Sequence, residues 1–176
     1  MDLLQRFAFG DIDAFETLAR KHQGEIYGWI VSIVRDRAIA EDLTVETLWR
    51  IYQARYRFRA DGNFPAWARR IATNLAIDHL RVRLPEDPLI SEPSAGAPRD
   101  YLLERETRDQ VRQAFRRLPA KLQVTATLAL VEEKPYDEIA DALGTTTGAV
   151  KTRVFRAVRI LRKQLTQLGL GPASTK

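Results

Sequence analysis

The amino-acid sequence predicts an all-α protein made of two small helical domains joined by a flexible linker. Three observations predict this fold class. Apolar residues recur every three or four positions along most of the 176-residue chain, one proline-rich acidic stretch interrupts that spacing, and no segment shows the alternation typical of a strand. The expected boundaries are 1–84 for the first domain, 85–101 for the linker and 102–170 for the second domain.

The first domain is predicted to contain three main helices. One should run from about Asp11 to the stretch RDR, a second from about Ile39 to Tyr56, and a third from Pro65 to about Val82, because proline suits the first turn of a helix. Asp61-Gly62 is a turn signal between the last two. The residues expected to face the core are Phe15, Leu18, His22, Ile26, Trp29, Ile33, Leu43, Leu48, Ile51, Tyr52, Trp67, Ile71, Leu75 and Leu80.

The stretch LPEDPLISEPSAGAPRD separates the two domains. It carries four prolines between Pro85 and Pro98 and few large apolar residues, a composition that cannot pack a core and is typical of a linker. Helical spacing resumes in YLLERETRDQVRQAFRRL, and LQVTATLALVEE is predicted to form a second, compact apolar helix. The inward positions expected in the first of these helices are Leu103, Val111, Phe115 and Leu118.

The end of the chain has the pattern of a helix-turn-helix. In KPYDEIADALG, Pro135 stands where a short helix would begin, and Gly144 suits the left-handed conformation that ends one. Thr145 or Thr146 would then cap the next helix, TTTGAVKTRVFRAVRILRK. This order of short helix, tight turn and long basic helix favours binding to duplex DNA.

The last helix divides into an apolar and a basic face. Its apolar stripe is expected to consist of Val150, Val154, Val158, Leu161 and Leu165. The stretch from Thr145 to Leu165 carries six basic residues and no acidic one, whereas a solvated helix, which is the alternative interpretation, usually mixes both signs. Near the start of the helix, the residues best placed to enter a major groove are Lys151, Thr152, Arg153 and Arg156.

A second basic block lies in the first domain. Residues 51–83 contain seven basic and two acidic side chains, and their arginines are interleaved with aromatic residues, which is typical of single-stranded DNA binding. Phe58 and Phe64 flank the turn, so one of them is expected near an unpaired base, while Tyr52 and Trp67 are better explained as core residues.

The composition argues against an enzyme. The chain has no cysteine and only two histidines, which excludes thiol chemistry and cysteine-ligated zinc and makes a Ser-His-Asp site difficult to assemble. A carboxylate-bound cation stays open as an alternative, since Asp42 and Glu46 are one helical turn apart. We expect no cofactor. With no apolar run of membrane-spanning length and an acidic start, we expect the cytosol and no membrane insertion.

Five segments together resemble the extracytoplasmic-function class, or group IV, of the sigma-70 family of bacterial sigma factors. GDIDAFETLARKH looks like the opening helix of that family, and AEDLTVETLWRIY is similar to its segment that binds the clamp helices of RNA polymerase. NFPAWARRIATNLAIDHLR resembles the segment that opens and reads the −10 promoter element. LPAKLQVTATLALVEE and the helix-turn-helix after it resemble the domain that reads the −35 element.

The resemblance implies a dissociable promoter-specificity subunit with three kinds of partner. It would bind core RNA polymerase through the β′ clamp helices and the β flap, bind promoter DNA, and be held inactive by an anti-sigma factor. The implied polymerase-binding residues are Asp42, Glu46, Leu48 and Trp49. The implied −10 residues are Phe58, Arg59, Asn63, Phe64, Arg70, Asn74, Asp78 and Arg81, and the implied −35 residues are Thr146, Lys151, Thr152, Arg153, Arg156 and Arg159.

The sequence also departs from the family pattern. Val45 stands where the clamp-binding segment usually has glutamine, and Gln123 stands where arginine is usual. A stand-alone helix-turn-helix regulator is the main rival hypothesis. It explains the last 60 or so residues but assigns no task to AEDLTVETLWRIY or to the arginine–aromatic block.

Overall fold

The structure, a computed structural model, describes residues 1–82 and 99–170. Every regular element within these ranges is a helix, which confirms the all-α prediction. Most of the predicted linker, from 85 to 98, lies outside the described residues, and the helix that follows begins at Arg99. No helix in the described ranges is both long and apolar enough to cross a bilayer.

The first domain contains four α-helices and a short 3₁₀ turn. These are α1 (Leu3–Ala8), α2 (Ile12–Val34), α3 (Arg37–Gln53), the turn Arg55–Arg57, and α4 (Phe64–Val82). Helices α2, α3 and α4 pack on one another, and α1 closes one end against α2 and the 3₁₀ turn. The three long helices therefore occur as the sequence predicts, with α1 as an addition.

Side-chain caps set the helix boundaries of this domain. The Asp11 carboxylate accepts hydrogen bonds from the first backbone N–H groups of α2, and Asp36 does the same for α3. Helix α3 ends at Gln53 rather than at the predicted Tyr56, where the chain tightens into the 3₁₀ turn. There Arg55 Nη1 donates to the Tyr52 carbonyl, in the last turn of α3, at 2.7 Å.

The second domain begins with α5 (Arg99–Arg116) and α6 (Ala120–Ala126). The predicted apolar helix continues from α6 as a π-helical turn, Thr127–Val131, in which the Glu132 N–H donates to the Thr127 carbonyl at 3.0 Å. The prediction that Leu103 faces inward is wrong, because its side chain is 53% exposed; α5 packs through its C-terminal half, where Ala114 is buried and Phe115 lies against the same cluster.

The helix-turn-helix follows as α7 (Tyr136–Leu143) and α8 (Thr147–Gln167). Gly144 ends α7 in the left-handed conformation with φ of 58°, as predicted. Thr146 caps α8, since its Oγ1 accepts from the Ala149 N–H at 3.2 Å. The sequence therefore predicts both the turn and the cap.

Helix α4 connects the two domains. It packs against α2 and α3 on one side and against α6 and α7 on the other, while the π-helical turn lies on α2. Ala68, Ala72 and Ala76 of α4 are fully buried, and their small size lets neighbouring helices approach closely. Apolar residues of both domains join in one continuous cluster, and Leu118, Ala157 and Leu161 belong to a second cluster inside the second domain.

Candidate functional site

Helix α8 has one buried and one exposed face. Val150, Val154, Ala157 and Leu161 are buried, and Val158 lies half-buried beside them. This stripe agrees with the predicted one, with Ala157 added at the edge nearest Arg153. Since the stripe fixes the rotation of the helix, the opposite face points to solvent.

The exposed face of α8 carries unpaired positive charge. Lys151, Thr152, Arg156 and Arg159 are exposed on it, as predicted. Arg153 is half-buried instead, because it lies on the flank of the buried stripe. Within the described residues, no carboxylate comes within 4.0 Å of a basic nitrogen of α8. Such a surface attracts a polyanion through counterion release.

Phe155 is an exposed residue of α8 that the sequence reasoning missed. It is 68% exposed and follows Thr152 by three positions on the basic face. The signal was available in the sequence, because this phenylalanine falls outside the apolar stripe of an otherwise amphipathic helix. An apolar ring among cations is suited to contact the methyl group of a thymine in a major groove.

The loop before α4 differs from the expectation in its aromatic residues. Phe58 and Phe64 are only 7% and 3% exposed, so neither ring can stack on an unpaired base without leaving the core. Their centroids lie 5.7 Å apart, and both rings contact Phe7 and Trp67 at centroid distances of 5.0 to 6.1 Å. The aromatic cluster therefore holds the two ends of the loop in the core, and neither ring lies at the exposed tip of the loop.

The tip of this loop is polar and exposed. Arg59 donates to the Asp61 carboxylate through Nε at 3.2 Å and Nη2 at 3.0 Å. This hydrogen-bonded ion pair lowers the pKa of Asp61 and raises that of Arg59. Asn63 Oδ1 accepts from the Ala66 N–H at 3.1 Å and so caps α4. The exposed loop residues are thus held in place by one another and by the start of the helix.

The outer face of α4 carries the other residues expected at the −10 element. Asn74, Asp78 and Arg81 are exposed, and Arg81 Nη1 pairs with Asp78 at 3.2 Å. Arg70 lies on the same helix, but its guanidinium rests against the helix-turn-helix, where a Cβ added at Gly144 would be 2.5 Å from its Nη2. All four residues are exposed, and Arg70 is the one that also contacts the helix-turn-helix.

The residues expected to bind the polymerase lie on α3. Asp42 and Trp49 are exposed and Glu46 is half-buried, one turn apart on one face, while Leu48 is half-buried at the edge of that face. Glu46 forms an ion pair with Arg50 at 2.8 Å. Val45, with 70% of its surface exposed, stands beside Trp49 in the helical register. The surface therefore combines a carboxylate with two exposed apolar side chains.

A metal site built on Asp42 and Glu46 would need further ligands. Across residues 1–82 and 99–170, no group of three or more histidine, aspartate or glutamate side chains could hold an ion. The candidate site is thus described by its surfaces: the exposed face of α3, the polar loop with α4, and the basic face of α8.

Comparison with known proteins identifies both halves of the chain. Residues 18–83 match the family Sigma-70 region 2, and residues 108–161 match Sigma-70, region 4. The chain is 33% identical to the RNA polymerase sigma-H factor of Pseudomonas aeruginosa over 94% of this chain and 93% of that protein. It is 30% identical to the ECF RNA polymerase sigma factor SigW of Bacillus subtilis over 90% and 92%.

A similar fold occurs among solved structures. That of CnrH in complex with the cytosolic domain of CnrY aligns with a TM-score of 0.60 and 22% identity over 94% of this chain and 96% of that one. The sigma factor RpoE of Bartonella quintana, in complex with the anti-sigma factor NepR, aligns with a TM-score of 0.54 and 20% identity over 86% and 96%. These likenesses support the fold described above.

Proposed function

The chain belongs to the extracytoplasmic-function family of RNA polymerase sigma factors, and from this premise we propose how its surfaces divide the work of promoter recognition. RNA polymerase and promoter DNA are its partners, and it acts in transcription initiation. In this division, residues 1–84 bind the polymerase and the −10 element, 102–170 bind the −35 element, and 85–101 link them. In this proposal the polymerase catalyses RNA synthesis, and no residue of this chain is assigned a catalytic role.

The basic face of α8 is the observation that carries this proposal. Its cations face solvent and have no carboxylate partner in the described ranges. The phosphates of a DNA backbone would therefore neutralise them. Lys151 and Thr152 lie in the second turn of α8, near the N-terminus where recognition helices contact base edges, and Arg156 follows about one turn later. Arg159 lies two turns beyond Thr152 and contacts phosphate, and Phe155, between Thr152 and Arg156, contacts a thymine methyl group.

The loop and α4 are assigned to the −10 element. Arg59 and Asn63 reach solvent at the loop tip, and Asn74, Asp78 and Arg81 continue the polar surface along α4. An amide side chain such as Asn74 can pair with the edge of an unpaired base. Phe58 and Phe64 support this surface from beneath and are not assigned base contacts.

The exposed face of α3 is assigned to the polymerase clamp. Trp49 supplies a large apolar side chain of the kind that anchors protein interfaces, and Asp42 supplies a charge at the rim. Val45 adds apolar area between them. Leu48 packs against the core more than it faces outward, so its contribution is to orient the helix.

Control by an anti-sigma factor is the regulatory part of the proposal. The sigma factor RpoE, of similar fold, is seen bound to the anti-sigma factor NepR, and CnrH, also of similar fold, is seen in complex with the cytosolic domain of CnrY. With DNA and polymerase as ligands, the site of action is the bacterial cytoplasm.

Run-off transcription with core RNA polymerase on a library of genomic promoter fragments tests the proposed function. The full chain should direct initiation from a subset that shares two short elements about 25 base pairs apart, since −35 and −10 mark their positions. Failure of the chain to bind core polymerase or to select any promoter would refute it.

A charge reversal at Asp42 tests the assignment of α3. Asp42→Lys should weaken polymerase binding by tenfold or more, because a rim charge of the wrong sign costs about 1.4 kcal/mol or more per interface contact. Its melting temperature should stay close to that of the wild type, since Asp42 is exposed. Glu16→Lys, at another exposed acid on α2, is the matched control. Equal loss in both variants would contradict the assignment.

A further inference from the structure

An exposed tyrosine lies beside the polar loop that precedes α4. The two aromatic residues at the ends of this loop, Phe58 and Phe64, are buried, with 7% and 3% of their surface exposed. An unpaired base binds a protein by stacking on an aromatic ring that solvent can reach. Tyr56, in the 3₁₀ turn just before the loop, has 67% of its surface exposed. Tyr56 is therefore the ring beside the loop on which a base can stack.

Tyr56 is the outermost ring of a stack that includes a cation. The guanidinium carbon of Arg55 lies 4.1 Å from the centroid of the Tyr56 ring and 4.1 Å from that of the half-buried Tyr52 ring. Tyr52 in turn contacts Phe15 and Trp49 at centroid distances of 5.1 and 6.1 Å. Cation–π contacts thus connect the exposed ring to the body of the domain.

Hydrogen bonds hold the cation of this stack in place. Arg55 Nη2 donates to the Tyr56 hydroxyl at 2.7 Å, and Nη1 donates to the Tyr52 carbonyl at 2.7 Å. Both ends of the guanidinium are therefore fixed, and the Tyr56 hydroxyl is fixed with them. A ring that is already positioned loses less side-chain freedom when a ligand binds, which favours binding.

The turn between α1 and α2 lies against one edge of the Tyr56 ring. Gly10 in this turn has φ of 93°, and a Cβ built on it would lie 3.0 Å from the Tyr56 hydroxyl oxygen. Phe9, the residue before it, is 76% exposed, so the surface beside the ring is also apolar. This turn precedes residues 18–83, which match Sigma-70 region 2, so part of the site lies outside the matched segment.

The surface around Tyr56 carries positive charge. Residues 51–60 contain three arginines and no acidic residue. Arg57 is exposed, and in the described part of the chain no carboxylate lies within 4.0 Å of its guanidinium nitrogens. Asp11, next to Gly10, is already paired with Arg6 at 2.7 Å. An open ring beside an unpaired cation fits a base and the phosphate next to it.

We propose that Tyr56, held by Arg55, stacks on one unpaired base of the opened promoter strand, while Arg57 contacts the adjoining phosphate. This inference rests on the proposed role of the loop and α4 at the −10 element. Since Tyr56 precedes the loop and α4 follows it, the stacked base lies just beyond the bases assigned to the loop and α4. Stacking uses the face of a base and reads no edge, so the site accepts any base and holds the strand away from its complement.

A fluorescent base tests the stacking site in the full chain bound to core RNA polymerase. The probe is a fork-junction DNA in which 2-aminopurine replaces one base at a time along the unpaired strand, because stacking on an aromatic ring quenches its emission. With the wild type, one position beyond the −10 element should be quenched. The quenching should persist in Tyr56→Phe and be lost in Tyr56→Leu, which keeps an apolar side chain but removes the ring.

A double-mutant cycle separates a base contact from a structural role. Tyr56→Leu should weaken binding of the fork-junction DNA about tenfold, which corresponds to the loss of one base–aromatic stack. An abasic site at the quenched position should weaken binding by the wild type to a similar extent, and binding by Tyr56→Leu by less than about twofold further. Both proteins should melt at similar temperatures and bind a fully paired −35 duplex equally, because Tyr56 is exposed.

A pair of arginine variants tests the phosphate contact. Arg57→Ala should weaken binding of the unpaired strand whatever its sequence and lower the salt dependence of the affinity by about one phosphate contact. Arg37→Ala is the matched control, because Arg37 is also exposed but begins α3, about 25 Å from the end that leads to Tyr56. It should keep the salt dependence of the wild type. An unchanged salt dependence in Arg57→Ala overturns the phosphate contact.

The stacking site is overturned if no position shows quenching that depends on the Tyr56 ring. It is also overturned if the abasic site weakens binding equally in the wild type and in Tyr56→Leu. A loss of affinity for core polymerase in Tyr56→Leu when DNA is absent would make the ring a polymerase contact and would overturn the site as well.

Failure of the stacking site and failure of the proposed function give different results. If the wild type gives no run-off product with core polymerase, the assigned promoter role falls, and the affinity of the full chain and of Tyr56→Leu for a short oligothymidine still decides whether Tyr56 stacks on bases. If the wild type transcribes and no base along the strand depends on Tyr56, the promoter role stands and the stacking site is refuted.

Discussion

Helices α4 and α8 both present arginines, but they differ in where the opposing charge comes from. On α4, Arg69 lies between Glu25 and Glu138, and Arg81 pairs with Asp78. On α8, no carboxylate of the described residues is close enough to pair with the basic side chains. The difference teaches that basic composition alone does not identify an available anion-binding surface. Under the proposed assignment, an anion would meet cations without carboxylate partners on α8, whereas on α4 it would have to displace the carboxylates already paired there.

The two helices also differ in how their exposed faces are supported. Helix α4 begins in an aromatic cluster and contacts four other helices, whereas α8 contacts α5, α6 and α7 and leaves a wide face open. Substitutions at the start of α4 should therefore act mainly on stability, and those on the face of α8 mainly on DNA binding. The four predictions below test this distinction.

The largest effect is expected at Phe64. Phe64→Ala should lower the free energy of unfolding by about 3–5 kcal/mol, because it removes a buried ring that packs on Phe7, Phe58 and Trp67. Urea denaturation followed by circular dichroism measures this change. Tyr56→Ala, at an exposed ring nearby, is the control and should cost far less. A loss below about 1 kcal/mol at Phe64 would show that the ring is not part of the core.

A smaller effect, on binding rather than stability, is expected on α8. Arg156→Ala should weaken binding to a −35 duplex by about 1–3 kcal/mol and reduce discrimination at one base pair, because Arg156 is exposed on the basic face one turn beyond Thr152. Arg153→Ala should cost less, since Arg153 is half-buried on the flank. Fluorescence anisotropy at several salt concentrations measures both. A larger loss of binding for Arg153→Ala than for Arg156→Ala would place Arg153, rather than Arg156, in the major groove.

The helix caps allow a direct comparison of the two helices. Thr146→Ala should lower stability by about 1 kcal/mol, because the hydroxyl accepts from the Ala149 N–H, whereas Thr146→Ser should keep the cap. Asn63→Ala should act similarly at α4, where Asn63 accepts from the Ala66 N–H. Thermal melting measures all three. A loss of DNA binding in Thr146→Ser at unchanged stability would show that the methyl group of Thr146 contacts DNA.

The smallest effect is a change of titration at the loop. Arg59 lowers the pKa of Asp61 in the folded chain. The ion pair therefore stabilises the fold at pH values above the ordinary carboxyl pKa of 3.8, and this stabilisation is lost as the pH falls through the lowered pKa. Arg59→Ala should raise the pKa of Asp61 back toward 3.8. Carbon-detected NMR titration of the side-chain carboxyl measures it, and an unchanged pKa would mean that the pair does not form in solution.

The sequence predicts most of the helices because their apolar residues are strongly periodic. The turn at Gly144 and the cap at Thr146 could also be predicted, since both depend on local backbone chemistry. The burial of Phe58 and Phe64 could not, because it depends on Phe7, a residue about fifty positions away that closes the cluster. Flanking a turn is compatible with either exposure or burial.

Three further features depend on contacts between distant segments. No distinct periodicity in the sequence marks the π-helical turn after α6. The turn occurs where this segment packs on α2. The half-burial of Arg153 follows from the burial of Ala157 beside it, which widens the buried stripe toward Arg153, and a lone alanine is a weak sequence signal for an apolar stripe. The pairing of Arg69 with Glu138 joins residues 69 positions apart, and local sequence carries no signal for it.

The position of Trp29 gives the molecule a built-in optical reporter. Its indole is 6% exposed and lies beneath one cation from each domain. Replacing the other two tryptophans, Trp49 and Trp67, with phenylalanine would leave it as the single indole fluorophore. Separation of the domains would remove Lys134 and admit water to the ring, so its emission would shift to longer wavelength. The chain could then report its own opening during binding to the polymerase, without any attached dye.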